Sequence, residues 1–282
     1  MSRLRYLCVL VLVIAMEVSG LDGFSRAHLL NNCSMKLRFP EKNWEIDHLI
    51  PALNSGVIFM DNPKTGTRSV RREMERSFGA KWEVPRHSVG HRISPKCVHG
   101  GVIRHMSTCY TTEQLQNKFI YAFARDPVHK FESGVREARN YIPALRNMTG
   151  DEVLEMQIKL HSESPGKWVN THLQPSTYRL ITKDLDGKFL PLSYVGALEN
   201  IAVDWGVVVK EIEKYVSKNR SGRLRSPLPR SLPLTHKEID KDLNNSTFLS
   251  DKGVRMMCQS ELYKYEWECL GYPIPPQCAE LL

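Results

Sequence analysis

The sequence predicts an α/β protein with a central, mostly parallel sheet flanked by helices. Two strand–loop–helix units predict this class, because in each an apolar strand is followed by a helix with apolar residues on one face. The chain has 282 residues, of which 41% are hydrophobic and 25% are charged. These proportions are typical of a globular protein that can build its own core, and they exclude disordered, collagen-like and coiled-coil chains.

The first residues carry the pattern of a targeting segment. Two Arg residues precede the apolar run Tyr6–Met16, and small residues occupy positions 18 and 20. The run is too short to span a bilayer, which needs about 20 residues, and the small residues are those that a signal peptidase reads. We therefore expect residues 1–20 to be a cleaved signal peptide. The alternative is a short uncleaved signal anchor, which would then be the only part of the chain in a membrane.

After this leader we expect an irregular segment over residues 21–54, because Pro40 and Pro51 interrupt it. A single domain is expected over residues 55–282, since the sequence shows neither an internal repeat nor a domain linker.

The first unit of the domain begins with a short buried strand, Gly56–Met60. A tight loop, Asp61–Thr67, follows it, and a helix is expected from Ser69 onward. The apolar residues of this helix recur at intervals of four, which places them on one face: Val70, Met74 and Phe78.

The second unit has a strand over Lys118–Ala124 and a turn over Arg125–Pro127. A helix follows, whose apolar face carries Val128, Phe131 and Val135. The later elements expected are the helix Asp151–Leu160, the strand end Tyr194–Gly196, the helix Ile201–Val216 and a last helix from Asp251 to about Cys269.

Cysteines and glycosylation sequons indicate a secretory route. Six Cys remain after the leader, an even number, and no C-x-x-C pair is present, so no metal site is expected. In one continuous helix Cys258 and Cys269 would lie about 16 Å apart along the axis, too far to bond. A Cys97–Cys109 bond that closes a local loop is compatible with this, and the other four Cys would sort among themselves. Five sequons occur, at Asn32, Asn147, Asn219, Asn244 and Asn245.

The net charge of the chain, +8, predicts attraction to polyanions. In the secretory lumen the abundant polyanions are sulfated and carboxylated glycans. We therefore expect an anionic glycan partner and no nucleic acid.

Two anion sites are predicted from the two units. The loop from Asn62 to Ser69 joins a strand to a helix N-terminus and contains a Lys and several hydroxyl groups, which together favour a phosphate or sulfate. It does not match the P-loop pattern of nucleotide triphosphatases. In the second unit, Arg125 lies at the carboxyl end of the strand and Ser133 lies about two turns into the helix. Two such sites on neighbouring strands imply a ligand with two separated phosphate groups.

Taken together, Pro63–Ser69 and Arg125–Ser133 resemble the 5′-phosphosulfate loop and the 3′-phosphate element of sulfotransferases that use 3′-phosphoadenosine 5′-phosphosulfate. The match is closest to the Golgi carbohydrate sulfotransferases of the chondroitin and heparan sulfate types. Three later segments are similar to segments of that family in the same order: Asn170–Pro175, Tyr194–Asp204 and Glu261–Tyr272. In Asn170–Pro175, Gln precedes Pro, a departure from the family order. The resemblance implies a P-loop-like sulfotransferase fold.

The resemblance also implies roles for single residues. Lys64 would contact the bridging oxygen of the phosphosulfate and stabilise the leaving group, and Arg125 and Ser133 would hold the 3′-phosphate. No metal is required. The 5′-phosphate would be held by Thr65, Gly66, Thr67, Arg68 and Ser69, with Arg68 standing where the family more often has a small hydroxyl residue.

A base must accept the proton of the acceptor hydroxyl, and His is the usual choice near neutral pH. We expect the base to be His91 in preference to His87. His172 is a further candidate, and the resemblance of its segment to the family suggests that it contacts the acceptor. A basic, Pro-rich loop that includes Arg223 and Arg225 is the expected glycan-binding segment.

The resemblance therefore implies sulfuryl transfer to a carbohydrate hydroxyl, in the Golgi lumen or after secretion. Two alternatives stay open: a protein-tyrosine sulfotransferase, and an inactive secreted glycan-binding protein of the same fold. The oligomeric state is not predicted.

Overall fold

The computed structural model describes residues 21–36, 49–52, 56–78, 98–99, 102–103, 111–181, 183, 186–218, 224, 226–232 and 248–281. The strands in this part of the chain are β1 Leu49–Ala52, β2 Val57–Met60, β3 Val98–His99, β4 Val102–Ile103, β5 Phe119–Ala124 and β6 Tyr194–Ala197. The helices are α1 Gly23–Lys36, α2 Thr67–Phe78, α3 Thr112–Leu115, α4 Pro127–Tyr141, α5 Gly150–Glu163, α6 Ser176–Leu180, α7 Ile201–Lys218, α8 Asp251–Gln259 and α9 Glu266–Leu270. Short 3₁₀ turns are Pro143–Leu145, Thr171–Leu173, Leu198–Asn200 and Pro276–Cys278.

The main sheet has the order β1-β2-β5-β6 and is mostly parallel. β5 pairs in parallel with β2 on one side, with Met60 opposite Ala122, and with β6 on the other, with Ala124 opposite Ala197. β1 is antiparallel to β2 at the edge. β3 and β4 form a separate two-stranded pair. Because β2 and β5 are parallel neighbours, the two loops that follow them leave the same edge of the sheet.

Helices cover both faces of this sheet, which confirms a mixed α/β protein. Ile58 and Met60 point to the face where α1 and α9 pack, and Val57 and Phe59 point to the face where α2 and α7 pack. All six residues of β5 are buried, as expected of a central strand covered on both sides. A third cluster of buried residues joins α4, α5 and α8 beyond the sheet.

Both predicted units are present, at nearly the predicted bounds. The first unit is β2 and α2, and its helix buries Val70 and Met74 completely. The second is β5 and α4. Asp126 caps α4 by accepting a hydrogen bond from the His129 backbone N–H at 3.0 Å, and Pro127 occupies the first helical position, where a missing N–H costs nothing. The later helices α5 and α7 and the strand β6 also lie where the sequence predicts them.

The expectation of an irregular segment over residues 21–54 is corrected by the structure. Gly23–Lys36 is helical, and its start is held by the Asp22 carboxylate, which accepts from two backbone N–H groups. Arg26 of this helix is buried and donates to the carbonyls of Leu270 and Val195 at 2.7 and 3.2 Å. Pro51 lies in β1, an edge strand, where a residue without an N–H is tolerated. Proline there does not interrupt the sheet.

The expected last helix is also corrected, because the chain breaks it in two. Helix α8 ends at Gln259, and Ser260 takes an extended conformation before turns lead into α9. The break follows from tertiary packing: the fully buried Tyr263 donates its hydroxyl to the Leu173 carbonyl at 2.6 Å. Apolar spacing continues through the break, so the periodicity alone does not reveal it.

The four described cysteines form two disulfides, Cys33–Cys269 and Cys258–Cys278. The expectation that these four pair among themselves is confirmed. Cys258 and Cys269 do not bond each other, as expected, but they lie on two different helices and not on the one continuous helix that the expectation assumed. Cys97 and Cys109 lie outside the described residues, as does the leader. The two bonds indicate an oxidising, secretory-type environment. Within the described ranges, no helix is long and apolar enough to span a bilayer.

Candidate functional site

The loop after β2 is anchored to the neighbouring strand by Asn62. This side chain is fully buried, and its amide nitrogen donates to the Phe123 carbonyl near the end of β5 and to the Ser176 hydroxyl, both at 3.0 Å. The backbone carbonyl of Asn62 accepts hydrogen bonds from the hydroxyls of Thr65 and Thr67 at 2.6 Å each. These bonds fix the loop in one shape and tie it to the end of the second unit's strand.

Two residues of the loop have left-handed backbone conformations. Lys64 has φ 68° and Gly66 has φ 79°. For Lys this conformation costs roughly 1 kcal/mol, and such strain persists where the surroundings fix the chain for a purpose. At Gly66 a Cβ atom would also approach Leu198 Cδ1 to 2.9 Å. The next residue, Thr67, begins α2, so the positive end of that helix faces the loop.

The Lys64 side chain reaches the second unit. Its ammonium lies 3.1 Å from Glu137 Oε2 on α4, and Arg68 Nη2 lies 3.1 Å from the other oxygen, Oε1. Burial lowers the pKa of Lys64, and the carboxylate of Glu137 opposes that shift. Burial would raise the pKa of Glu137, but the charge and hydrogen bond of Lys64 and the charge of Arg68 lower it overall. Glu137 therefore balances two cations, one from the loop and one from the first turn of α2.

Ser133 and Arg125 belong to the same region. Ser133 lies one turn before Glu137 on α4, and residues four apart share a helix face, so Ser133 is on the face that fronts the loop. Arg125 follows β5 directly. Burial lowers the pKa of Arg125, Glu199 opposes this, and Arg136 adds to it. Arg136 also lowers the pKa of Lys64. The positive charge of Arg136 thus acts on both predicted phosphate-binding cations.

His172 lies close to α4 because Gly134 has no side chain. The 3₁₀ turn Thr171–Leu173 packs on α4 so closely that a Cβ on Gly134 would lie 2.4 Å from the His172 carbonyl oxygen. Burial and the charge of Lys64 lower the pKa of His172 to about 4, so the imidazole is neutral at pH 7. Its Nδ1 is buried and has no hydrogen-bond partner among the described residues.

Tyr141 completes the cluster at the end of α4. Its hydroxyl donates to Glu137 Oε1 at 3.2 Å, and its ring lies nearly parallel to the His172 ring, with 6.3 Å between centroids and 18° between planes. It is 63% exposed.

The structure brings together several of the predicted residues. Lys64 and Arg68 both pair with Glu137, and Ser133 shares the helix face of Glu137. The charges of Lys64 and Glu137 both act on the pKa of His172. Thr65 and Thr67 are buried and use their hydroxyl protons within the loop. Ser69 is buried in the first turn of α2. The remaining predicted residues lie outside the described part of the chain: His87, His91, Arg223 and Arg225.

The sequence reasoning missed Arg136, Glu137 and Tyr141. Helical spacing could have found them, because Ser133, Glu137 and Tyr141 are four residues apart and line one face of α4, while Arg136 lies three residues after Ser133. The spacing shows which residues share a face, but only the folded chain shows that Lys64 meets that face.

The site combines cations from the two strand–loop–helix units. Cations from both strand–loop–helix units lie at one edge of the sheet, and the dipole of α2 adds positive potential there. Across the described ranges, no three His, Cys, Asp or Glu side chains are grouped as a metal site requires. Comparison with models of known protein families finds no match for this chain, and neither the curated proteins nor the solved structures include a significant match.

Proposed function

We propose that this protein transfers the sulfuryl group of 3′-phosphoadenosine 5′-phosphosulfate to a carbohydrate hydroxyl, on a P-loop-like sulfotransferase fold. One observation carries the proposal: the Lys64 side chain of the first unit meets α4 of the second, at 3.1 Å from Glu137. The two units are therefore close enough to bind one ligand. A ligand with a phosphate at each end of a nucleoside fits two anion sites at adjacent strand ends.

The resemblance implies the roles of the single residues, and the position of Lys64 beside α4 supports them. Lys64 would contact the bridging oxygen between sulfur and the 5′-phosphate, with the N-terminal turn of α2 beside that phosphate. Arg125 and Ser133 would hold the 3′-phosphate. Arg136, whose charge acts on both Lys64 and Arg125, would strengthen the field between the two phosphates.

The reaction would be an in-line displacement at sulfur. The acceptor oxygen bonds to sulfur, the bond from sulfur to the bridging oxygen breaks, and adenosine 3′,5′-bisphosphate leaves. Negative charge grows on the bridging oxygen, where Lys64 stabilises it. The hydroxyl proton passes to a base. His91 and His87 stay our predicted bases, and within the described ranges Glu137 and His172 lie near Lys64.

The acceptor and the compartment follow from charge and cysteine chemistry. A protein with 39 Lys+Arg against 31 Asp+Glu and disulfides in an oxidising compartment is suited to an anionic glycan. We place it in the Golgi lumen or outside the cell. Arg223, Arg225 and His172 remain the proposed acceptor contacts.

Titration calorimetry with adenosine 3′,5′-bisphosphate tests the nucleotide site. The wild-type protein should release heat at a 1:1 ratio. Lys64→Ala should weaken binding and lower sulfation by about 100-fold or more, the effect of removing one strong transition-state contact. Lys159→Ala, a change of the same kind at a side chain that is 73% exposed on α5, is the matched control.

Sulfation assays then separate the enzyme classes. The same preparation is offered chondroitin, heparan and an acidic peptide that contains Tyr, each with the sulfate donor. Product on either glycan supports the proposal, and product on the peptide alone makes the protein a tyrosine sulfotransferase. Two results together would favour an inactive glycan-binding protein: the wild type does not bind the bisphosphate, and Lys64→Ala binds glycan as well as the wild type does.

A further inference from the structure

Tyr141 is an exposed aromatic side chain placed beside the predicted sulfuryl-transfer centre. Large apolar side chains on the surface are common when single, so exposure alone indicates nothing. Tyr141 differs because both its hydroxyl and one side of its ring are held by residues of the site. Glu137, which bonds Lys64, accepts its hydroxyl, and His172 lies against its ring.

These contacts favour one position of the ring. A Tyr at the end of a helix normally samples several rotamers, and ordering it costs conformational free energy. Here the hydroxyl bond at 3.2 Å and the parallel His172 ring favour one orientation, while the residue stays 63% exposed to solvent. A rigid aromatic surface that is already positioned binds a partner at lower entropic cost.

In the proposed function the acceptor must reach the end of the Lys64 side chain. Its hydroxyl must come within about 3–3.5 Å of the sulfur, which sits at the end of the Lys64 side chain in the proposed function. Lys64 is mostly buried, with 19% of its side chain exposed, and Glu137 and then Tyr141 lead from it to solvent along α4. A molecule entering from solvent along this face of α4 meets the Tyr141 ring before it reaches Lys64.

We propose that the Tyr141 ring is the platform on which a sugar ring of the acceptor glycan stacks. The C–H face of a pyranose is apolar and matches the flat face of a phenol ring, and hydroxyl groups at its rim stay free to reach the transfer centre. This inference rests on the proposed function for the choice of acceptor, but it makes a separate claim: that the site binds glycan through an aromatic side chain as well as through basic ones.

Two variants separate the ring from its hydroxyl. Tyr141→Ala removes the platform, and we expect about a tenfold or greater rise in the KM for the glycan, a smaller change in kcat and an unchanged Kd for adenosine 3′,5′-bisphosphate. Tyr141→Phe keeps the ring and should leave the glycan KM within about threefold of wild type. The control is Phe24→Ala, at an exposed aromatic side chain on α1. It should change neither the glycan KM nor the Kd for adenosine 3′,5′-bisphosphate.

Direct binding keeps this test independent of turnover. Chondroitin and heparan hexasaccharides are titrated into wild type and Tyr141→Ala. Loss of binding in the variant supports the platform, even if the wild type fails to bind the bisphosphate, a result that would overturn only the proposed function. Equal binding by both proteins, or none by the wild type, overturns the platform. So does a parallel loss of bisphosphate affinity, which would place Tyr141 on the donor side, and so does activity confined to the Tyr-containing peptide.

Discussion

At the scale of single residues, Glu137 is the carboxylate that connects the side chains of the candidate site. It pairs with Lys64 and Arg68, the two cations that are predicted to meet the donor's 5′ end, and it also accepts the Tyr141 hydroxyl. A phosphate that binds those cations must share them with Glu137 or displace it. In the proposed function, the carboxylate would therefore oppose donor binding while it keeps Lys64 in place.

Glu137→Gln should raise the affinity for adenosine 3′,5′-bisphosphate by about three- to tenfold, because the neutral amide keeps the shape but no longer competes for the cations. Calorimetry with the variant measures this. Glu163→Gln, at a side chain that is 61% exposed on α5, should leave the affinity unchanged. A weaker affinity in Glu137→Gln would mean that the carboxylate chiefly positions Lys64.

His172 gives the molecule a predicted sensitivity to acid. Burial and Lys64 lower its pKa from 6.5 to about 4, so between these pH values the unfolded chain binds a proton that the folded protein does not. Stability should therefore fall as pH decreases from about 6.5 to about 4, by about 1–2 kcal/mol once the partial exposure of the ring is allowed for.

Urea unfolding at pH 7 and pH 4.5 measures this loss. His172→Gln should lose less stability than wild type over the same interval, because Gln does not titrate. His28→Gln, at an exposed position of α1, should behave like wild type. An equal acid-induced loss in wild type and His172→Gln would assign the effect to other groups.

At the scale of elements, apolar spacing predicted what local sequence determines. The unit β2–α2 and the unit β5–α4 were predictable because a fully buried strand reads as a continuous apolar run and a one-sided helix repeats every three or four residues. The break at Ser260 was not predictable, because the apolar spacing continues through it and Tyr263 donates a hydrogen bond to the carbonyl of Leu173, which is distant in sequence. The same limit applies to the site: Lys64 was recognisable in its loop, but its pairing with Glu137, 73 residues away, depends on the packed fold.

The junction of β6 and α7 depends on one buried carboxylate. Asp204 on α7 accepts the Tyr194 hydroxyl at 2.8 Å and the Ala197 backbone N–H at 2.6 Å, and burial together with the Asp204 bond raises the pKa of Tyr194. Asp204→Ala would leave both donors buried and unpaired, so we expect a loss of about 3 kcal/mol in the free energy of unfolding.

Urea denaturation of Asp204→Ala measures this loss. Asp204→Asn, which retains one oxygen acceptor, should lose less. Glu213→Ala on the same helix removes only a surface pair with Arg230 and should cost under about 1 kcal/mol. A cost for Asp204→Ala no greater than that of Glu213→Ala would show that the junction does not depend on these bonds.

At the scale of the whole molecule, the two disulfides of the described residues differ in reach: one joins distant parts of the chain, and the second closes a local loop. Cys33–Cys269 spans 236 residues and ties α1 to α9 on one face of the sheet, whereas Cys258–Cys278 spans 20. Because the bond that spans more chain removes more freedom from the unfolded state, Cys33→Ala/Cys269→Ala should cost about 5 kcal/mol of stability and Cys258→Ala/Cys278→Ala about 3 kcal/mol.

Denaturation of both double variants without reductant compares them directly. If the short-loop pair costs as much as the long one, packing around the sulfurs, and not chain connectivity, sets their contribution. If neither change lowers stability, α1 is held by Arg26 and the apolar contacts of its buried face, and the bonds are secondary to them.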